Sequence, residues 1–288
     1  MPKSSKKWVY IILGGLVCAN VIAFSIVYDL SRPKLLKVDF FDVGQGDAAF
    51  IEAPNNNQIL IDGGPTSAVI SKLAKEMPFY DRTIDLVILT HPDYDHLSGL
   101  LDVLKRYKVK NILWTGVITD TPQFSEWQKL LSKENANMVI AKKGERVIIQ
   151  SDPLVYLDVL YPDKDLEGNN VKNTNDTSVV SRLVFNNSSF LFTGDATEKV
   201  DPELSVENLK SDVLKVAHHG SKDSMTDEFL NSVLPQTAVI SVGKDNSYGH
   251  PNIETLEKLN KSGIQVLRTD EMGDVRFVSD GKNIKVIE

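Results

Sequence analysis

Residues 8–28 form an unbroken run of 21 uncharged, mostly apolar positions. At 1.5 Å per residue a helix of that length spans about 31 Å, close to the hydrocarbon thickness of a bilayer. The run predicts one N-terminal helix over residues 1–30, either a membrane anchor or a secretory signal removed by cleavage. It is long for a signal core and no A-x-A cleavage pattern follows it, which favours the anchor. Lys3, Lys6 and Lys7 precede the run while Arg32, Lys34 and Lys37 follow it, so the positive-inside balance alone does not orient it. Signal-like entry of an N-terminal helix places the remainder outside the cytoplasm. Residues 31–37 read as a short connector and residues 38–288 as one continuous domain.

The pattern beyond the connector changes period repeatedly. Residues 35–43, 47–53 and 58–62 read as three short strands separated by Gly44-Gln45-Gly46 and by Pro54 with its asparagines. Asp85-Leu-Val-Ile-Leu-Thr90 is a continuous apolar run, as expected of a strand buried on both faces. Leu97, Leu100, Leu101 and Leu104 then share one helical face. A strand at 109–114 and a helix at 124–134 follow. Strands are expected at 138–141, 146–149, 155–160, 178–185 and 189–193. The last third reads as strands at 213–217 and 238–242 flanking a helix near 227–234, then a helix at 253–259 and terminal strands. Periodicity therefore gives an α/β domain, and its two strand-rich halves with flanking helices suggest a four-layer αββα sandwich.

Composition narrows the chemistry. The single cysteine, Cys18, lies inside the N-terminal apolar run and excludes an internal disulfide or a cysteine-built zinc cluster. A metal site here must use His, Asp and Glu. Residues 38–288 hold 26 basic and 38 acidic side chains, a formal charge of −12, which argues against tight nonspecific binding of long DNA.

All five histidines fall in turn-like sequence rather than in apolar helical stripes. His91-Pro-Asp93-Tyr-Asp95-His96 closes one predicted strand, placing four potential ligands within six residues. Imidazole and carboxylate ligands together suit zinc, manganese or iron. His218-His219-Gly220-Ser221 closes another strand, Thr193-Gly194-Asp195 a third, and Tyr248-Gly249-His250-Pro251 precedes the last helix. Strand ends are where α/β architectures gather their sites. His218 and His219, read as neighbours on an extended segment, should diverge, one binding metal and the other facing substrate. Asp47 and Asp62 read as hydrogen-bonding braces.

Phe41-Asp-Val-Gly-Gln-Gly-Asp47-Ala48, Asp62-Gly63-Gly64, the 91–96 cluster, Thr193-Gly-Asp195 and His218-His-Gly-Ser221 together resemble the metallo-β-lactamase-like domain of ComEC-type competence proteins. The resemblance runs in order from about residue 35 to the end, and it implies the αββα fold behind one transmembrane helix, as a freestanding version of that domain. It also implies two divalent metal ions, zinc or manganese, activating a hydroxide. His91 and Asp93 would hold one ion, Asp95 and His96 the other, with Asp195 bridging and His218 completing the second set. Asp95 and His250 would act catalytically, while His219, Ser221 and Asn175 would touch substrate. Asp93 stands where the superfamily usually has histidine, and a further histidine expected before Asp195 is absent. The segment Asn173-Thr-Asn175-Asp176-Thr-Ser178 occupies that region, so Asn175 or Asp176 approaches the site. The implied function is a phosphodiesterase or nuclease outside the cytoplasm, with a phosphodiester substrate such as DNA and no obligate protein partner. Hydrolysis of another cell-envelope phosphoester, or a non-enzymatic DNA-uptake module with a degenerate site, stand as alternatives.

Overall fold

The computed structural model describes residues 3–31, 35–204 and 208–287. The chain divides into two compact units, Met1–Lys34 and Leu35–Glu288. The first is one helix, α1 (Lys3–Ser31). Within it Lys6–Ser25, of mean hydropathy 2.0, is the one helix among the described residues long and apolar enough to cross a membrane. Two of its polar side chains bond within the helix: Asn20 Nδ2 donates to the Leu16 carbonyl and Ser25 Oγ to that of Val21, both at 2.8 Å. Such back-bonding suits a helix in apolar surroundings, where no water is available as a partner. Residues 32–34 of the expected connector lie outside the described residues.

The second unit opens with β1 (Leu36–Phe40), β2 (Ala49–Glu52) and β3 (Gln58–Ile61), followed by α2 (Ala68–Glu76), β4 (Thr83–Leu89) and α3 (Tyr94–Arg106). Then come β5 (Lys108–Trp114), α4 (Pro122–Leu131) and β6 (Asn137–Ile140). The second half holds β7 (Arg146–Ser151), β8 (Leu154–Tyr161), β9 (Val180–Phe185), β10 (Ser188–Phe192), α5 (Asp201–Leu204) and β11 (Val213–Lys215). It ends with α6 (Asp227–Val233), β12 (Thr237–Ile240), α7 (Ile253–Lys261), β13 (Gln265–Arg268), α8 (Thr269–Met272), β14 (Val275–Ser279) and β15 (Ile284–Ile287). Strand β1 falls within the strand expected at 35–43 and takes its first residues from the end of the 31–37 connector, with Leu36 fully buried in the core. Helix α2 was not expected from periodicity, although Val69, Leu73 and Met77 recur every fourth residue and are buried.

The strands form an eight-stranded sheet in the order β15-β14-β1-β2-β3-β4-β5-β6 and a seven-stranded sheet in the order β13-β12-β11-β10-β9-β8-β7. Alternate residues of both, among them Val38, Phe40, Ile88, Leu157, Phe190 and Phe192, meet in the central core. The opposite face of the first sheet packs on α2, α3 and α4 through Leu73, Leu100 and Trp127. Leu214, Phe229 and Leu259 bury the second sheet under α6 and α7. The result is the αββα order. The pairs β3–β4, β10–β11 and β11–β12 are parallel, so their carboxyl ends gather the loops that carry the polar motifs.

Two close approaches of backbone lock the first loops onto α3. Gly63 N donates to the His96 carbonyl and Gly99 N to that of Gly64, each at 2.8 Å. A Cβ on Gly99 would lie 1.9 Å from the Gly63 oxygen, so only glycine permits this contact. Gly46, with φ of +150°, likewise presses against the Asp95 carbonyl.

Candidate metal centre

His91 follows β4 directly, and its imidazole is oriented by hydroxyls. Thr90 Oγ1 donates to Asp62 Oδ2 at 2.7 Å and itself accepts from His91 Nδ1 at 3.1 Å. Ser178 Oγ lies 3.2 Å from His91 Nδ1. His96, in the first turn of α3, directs Nδ1 to Asp62 Oδ2 at 2.8 Å. His219 directs Nδ1 to the Ser241 carbonyl, also at 2.8 Å. In all three rings Nδ1 carries the proton outward and Nε2 turns its lone pair inward, the arrangement of metal-binding histidines. The buried Nε2 atoms of His91 and His96 have no hydrogen-bond partner.

Carboxylates meet these nitrogens. Asp195, at the tip of β10, places Oδ2 at 3.3 Å from His96 Nε2 and 3.4 Å from His219 Nε2. Asp95 Oδ2 lies 3.0 Å from His219 Nε2. The donor atoms of Asp95, His96, Asp195 and His219 fall within 4.8 Å of one another, which fits a divalent cation. On the other side Asp93 Oδ2 stands 3.6 Å from His91 Nε2. Asp93 is the N-cap residue of α3, yet its side chain makes no capping bond. It accepts from the Thr174 hydroxyl instead.

Electrostatics express the same demand for a cation. Burial by itself would lower the His219 pKa, but Asp195, with Asp47 and Asp95, overrides it and raises the imidazole to about 10. His96 is driven well above its ordinary value in the same way, by Asp195, Asp62 and Asp95 against its burial. Burial opposes ionisation of Asp195, yet His219, His96 and Lys215 hold its carboxyl well below the usual range. A proton on each ring satisfies these carboxylates, and a divalent cation competes for the same lone pairs.

The expected division of labour between His218 and His219 is not the one the structure builds. Their segment is not extended: both residues adopt left-handed backbone, with φ of 48° and 52°. His219 turns into the cluster and is 2% exposed, so it has no face left for substrate. His218 turns away. Asn175 Nδ2 donates to His218 Nε2 at 3.3 Å. The His218 ring packs edge-to-face on His250, with centroids 5.6 Å apart, and on His219 at 6.2 Å, while His250 stacks on the exposed Tyr248 ring at 5.9 Å. Ser221, expected to touch substrate, is 5% exposed beneath the turn. Asp176 is engaged by Thr197 Oγ1 and Asn173 Nδ2 and braces its own loop.

Four supporting residues carry no motif in the sequence. Thr90, Thr174 and Ser178 supply hydroxyls to His91 and Asp93, and Ser178 Oγ also accepts from Asp195 N at 3.1 Å. Lys215, the last residue of β11, is buried and pairs with Asp47 while standing 3.7 Å from Asp195 Oδ1. Burial disfavours both charges of the Lys215–Asp47 pair; their mutual attraction keeps the lysine up and the carboxyl down. Single hydroxyls and one lysine in apolar runs leave no spacing to read.

A fold of two packed sheets with a His/Asp centre at the strand ends defines the class: the chain belongs to the metallo-beta-lactamase superfamily, whose pattern matches residues 41–244. Within it the chain is similar to ComE operon protein 3 of Bacillus subtilis (strain 168), 32% identical over 285 residues, covering 92% of this chain and 36% of that protein. It is also similar to competence protein ComA of Neisseria gonorrhoeae, 30% identical over 249 residues, 83% of this chain and 32% of that protein. The chain thus spans about a third of the length of these curated relatives. Among solved structures, the metallo-beta-lactamase fold protein YhfI from Bacillus subtilis superposes with a TM-score of 0.55 at 14% identity, over 85% of this chain and 100% of that one. A diphosphatase of the PhnP family gives 0.51 at 14% identity, over 85% and 98%.

Proposed function

We propose that this chain is a metal-dependent phosphodiesterase acting on DNA, held to a membrane by α1 with its hydrolase domain, residues 38–288, outside the cytoplasm. The observation that carries the reading is the set of inward Nε2 atoms of His91, His96 and His219 around the carboxylates of Asp93, Asp95 and Asp195. Divalent cations held there would activate a water and offset charge on a phosphoryl group. His96, His219, Asp95 and Asp195 would hold one cation, and His91 with Asp93 would hold a second. Asp95 is the most open carboxylate of its set, with a side chain 30% exposed, and orients the attacking water. Burial, with His218 and His219 beside it, lowers the His250 pKa, so this ring meets substrate as a neutral hydrogen-bonding group. Asn175 and Tyr248 line the same mouth, the tyrosine offering a face on which a base can stack.

The name of the Neisseria gonorrhoeae relative, competence protein ComA, supports DNA as the substrate. The charge of −12 on residues 38–288 favours a second reading, in which a small envelope phosphoester is cleaved. The full chain, purified without chelator, is assayed for metal content and for turnover of single-stranded DNA against a generic phosphodiester. Asp195→Ala should lose both turnover and metal while keeping its fold, because the residue sits at a strand tip. Normal turnover in that variant would overturn the site; turnover of the small diester alone would overturn DNA. A wild-type chain without metal or turnover would favour a non-enzymatic module. Protease added to intact cells should digest the domain, and full protection until lysis would reverse the orientation.

A further inference from the structure

The turn between α2 and β4 shows two aromatic rings to solvent. Phe79 is 86% exposed and Tyr80 76%, and the rings pack edge-to-face on each other at 5.3 Å. The turn beneath them is built firmly. Asp81 N donates to the Pro78 carbonyl at 2.9 Å, Asp81 Oδ1 accepts from Thr83 N at 3.0 Å, and Asp81 Oδ2 accepts from Gln58 Nε2 at 3.2 Å. A hydrogen-bonded turn that holds two large apolar rings in water has a surface cost and calls for an occupant.

Its place in the fold identifies that occupant. Strand β4 runs seven residues, about 23 Å, from this turn to His91, so the rings lie at the end of the sandwich away from the candidate metal centre. The start of β1 is at the same end: Lys37 pairs with Glu52, Glu52 with Gln58, and Gln58 holds Asp81. Three strand spacings, about 14 Å, separate the start of β1 from that of β4. The membrane-length span ends at Ser25, α1 ends at Ser31 and β1 starts at Leu36, so six helical steps and five steps of chain reach at most about 27 Å. Exposed basic residues flank the turn on a domain that is acidic as a whole: Lys75 in the last turn of α2, Arg82 at the end of the turn, and Lys108, whose N donates to the Arg82 carbonyl.

We infer that residues 78–82 form a second membrane contact, with Phe79 and Tyr80 seated in the headgroup region of the bilayer and Lys75, Arg82 and Lys108 against anionic lipid. Aromatic rings flanked by basic side chains are the usual occupants of that layer. The inference rests on α1 remaining attached as an anchor.

The test uses the full chain with Cys18→Ala, reconstituted in vesicles of phosphatidylcholine and phosphatidylglycerol. Spin labels are placed singly at Phe79→Cys, Tyr80→Cys and, at the opposite end, Asp120→Cys. Labels at 79 and 80 should be severalfold more accessible to oxygen relative to a water-soluble nickel complex than the label at 120. Equal, water-like accessibility at all three positions overturns the contact, and protection from both reagents at 79 and 80 overturns it in favour of a second protein copy. Flotation separates the two readings. A chain that does not float with the vesicles removes the anchor and the inference together, whereas one that floats with water-accessible labels removes the loop contact alone.

Discussion

Asp62 Oδ2 receives His96 Nδ1 at 2.8 Å and Thr90 Oγ1 at 2.7 Å, so one buried carboxylate at the end of β3 orients two of the rings that face the candidate metal centre. It reaches His96 directly and His91 through the threonine. Removing such an outer partner costs about 10–100-fold in metal affinity in other sites. Asp62→Ala should weaken metal binding by about that factor, measured by competition with a chromogenic chelator. Unchanged affinity would mean that Asp62 only braces the turn.

The two adjacent histidines should separate cleanly. His219→Ala removes a ring that faces Asp95 and Asp195 and should lower both bound metal and turnover, the latter by about 100-fold or more. His218→Ala should keep its metal and lose about tenfold in turnover, through the Asn175 and His250 contacts. Metal analysis of both variants decides. The reverse pattern would restore His218 as the ligand.

Asp93 gives its side of the centre a hard oxygen where an imidazole is usual, 3.6 Å from His91 Nε2. Oxygen-rich sites shift relative preference from zinc towards manganese. The stripped wild-type chain should be at least as active with manganese as with zinc, and Asp93→His should move the preference towards zinc. Titration of each ion into both proteins tests this, and an identical strong zinc preference in both would remove Asp93 from the ligand set.

Away from the centre, buried Asp39 in β1 titrates abnormally. Burial and the neighbouring Glu76 raise its carboxyl to about 7, against the opposing pull of Arg276 and Lys37. The folded state therefore holds the proton more tightly than the unfolded chain, whose carboxyl titrates near 3.8. The stability this contributes is complete below 3.8 and is lost as pH rises towards 7. Asp39→Asn should melt about 5 °C higher than the wild type at pH 8, with the difference closing towards pH 4. A constant difference across that range would assign the effect to packing.

The sequence by itself determined the apolar helix, most strands and the positions of His91, His218 and His219 just after strands, because hydrophobic period and turn residues are local properties of the chain. Helix α2, at nine residues, is too short for its helical period to stand out from the flanking sequence. The tertiary structure alone decided which polar groups meet. His218 and His219 have the same chemistry and adjacent positions, and the left-handed turn that sends one inward depends on Ser241 and Asp195, each more than 20 residues distant. Thr90, Thr174, Ser178 and Lys215 likewise gain their roles from neighbours on other strands. A periodic pattern records which face of an element is buried. It holds no information on which buried side chain will lie within hydrogen-bonding distance of another, since that depends on how two sheets are stacked.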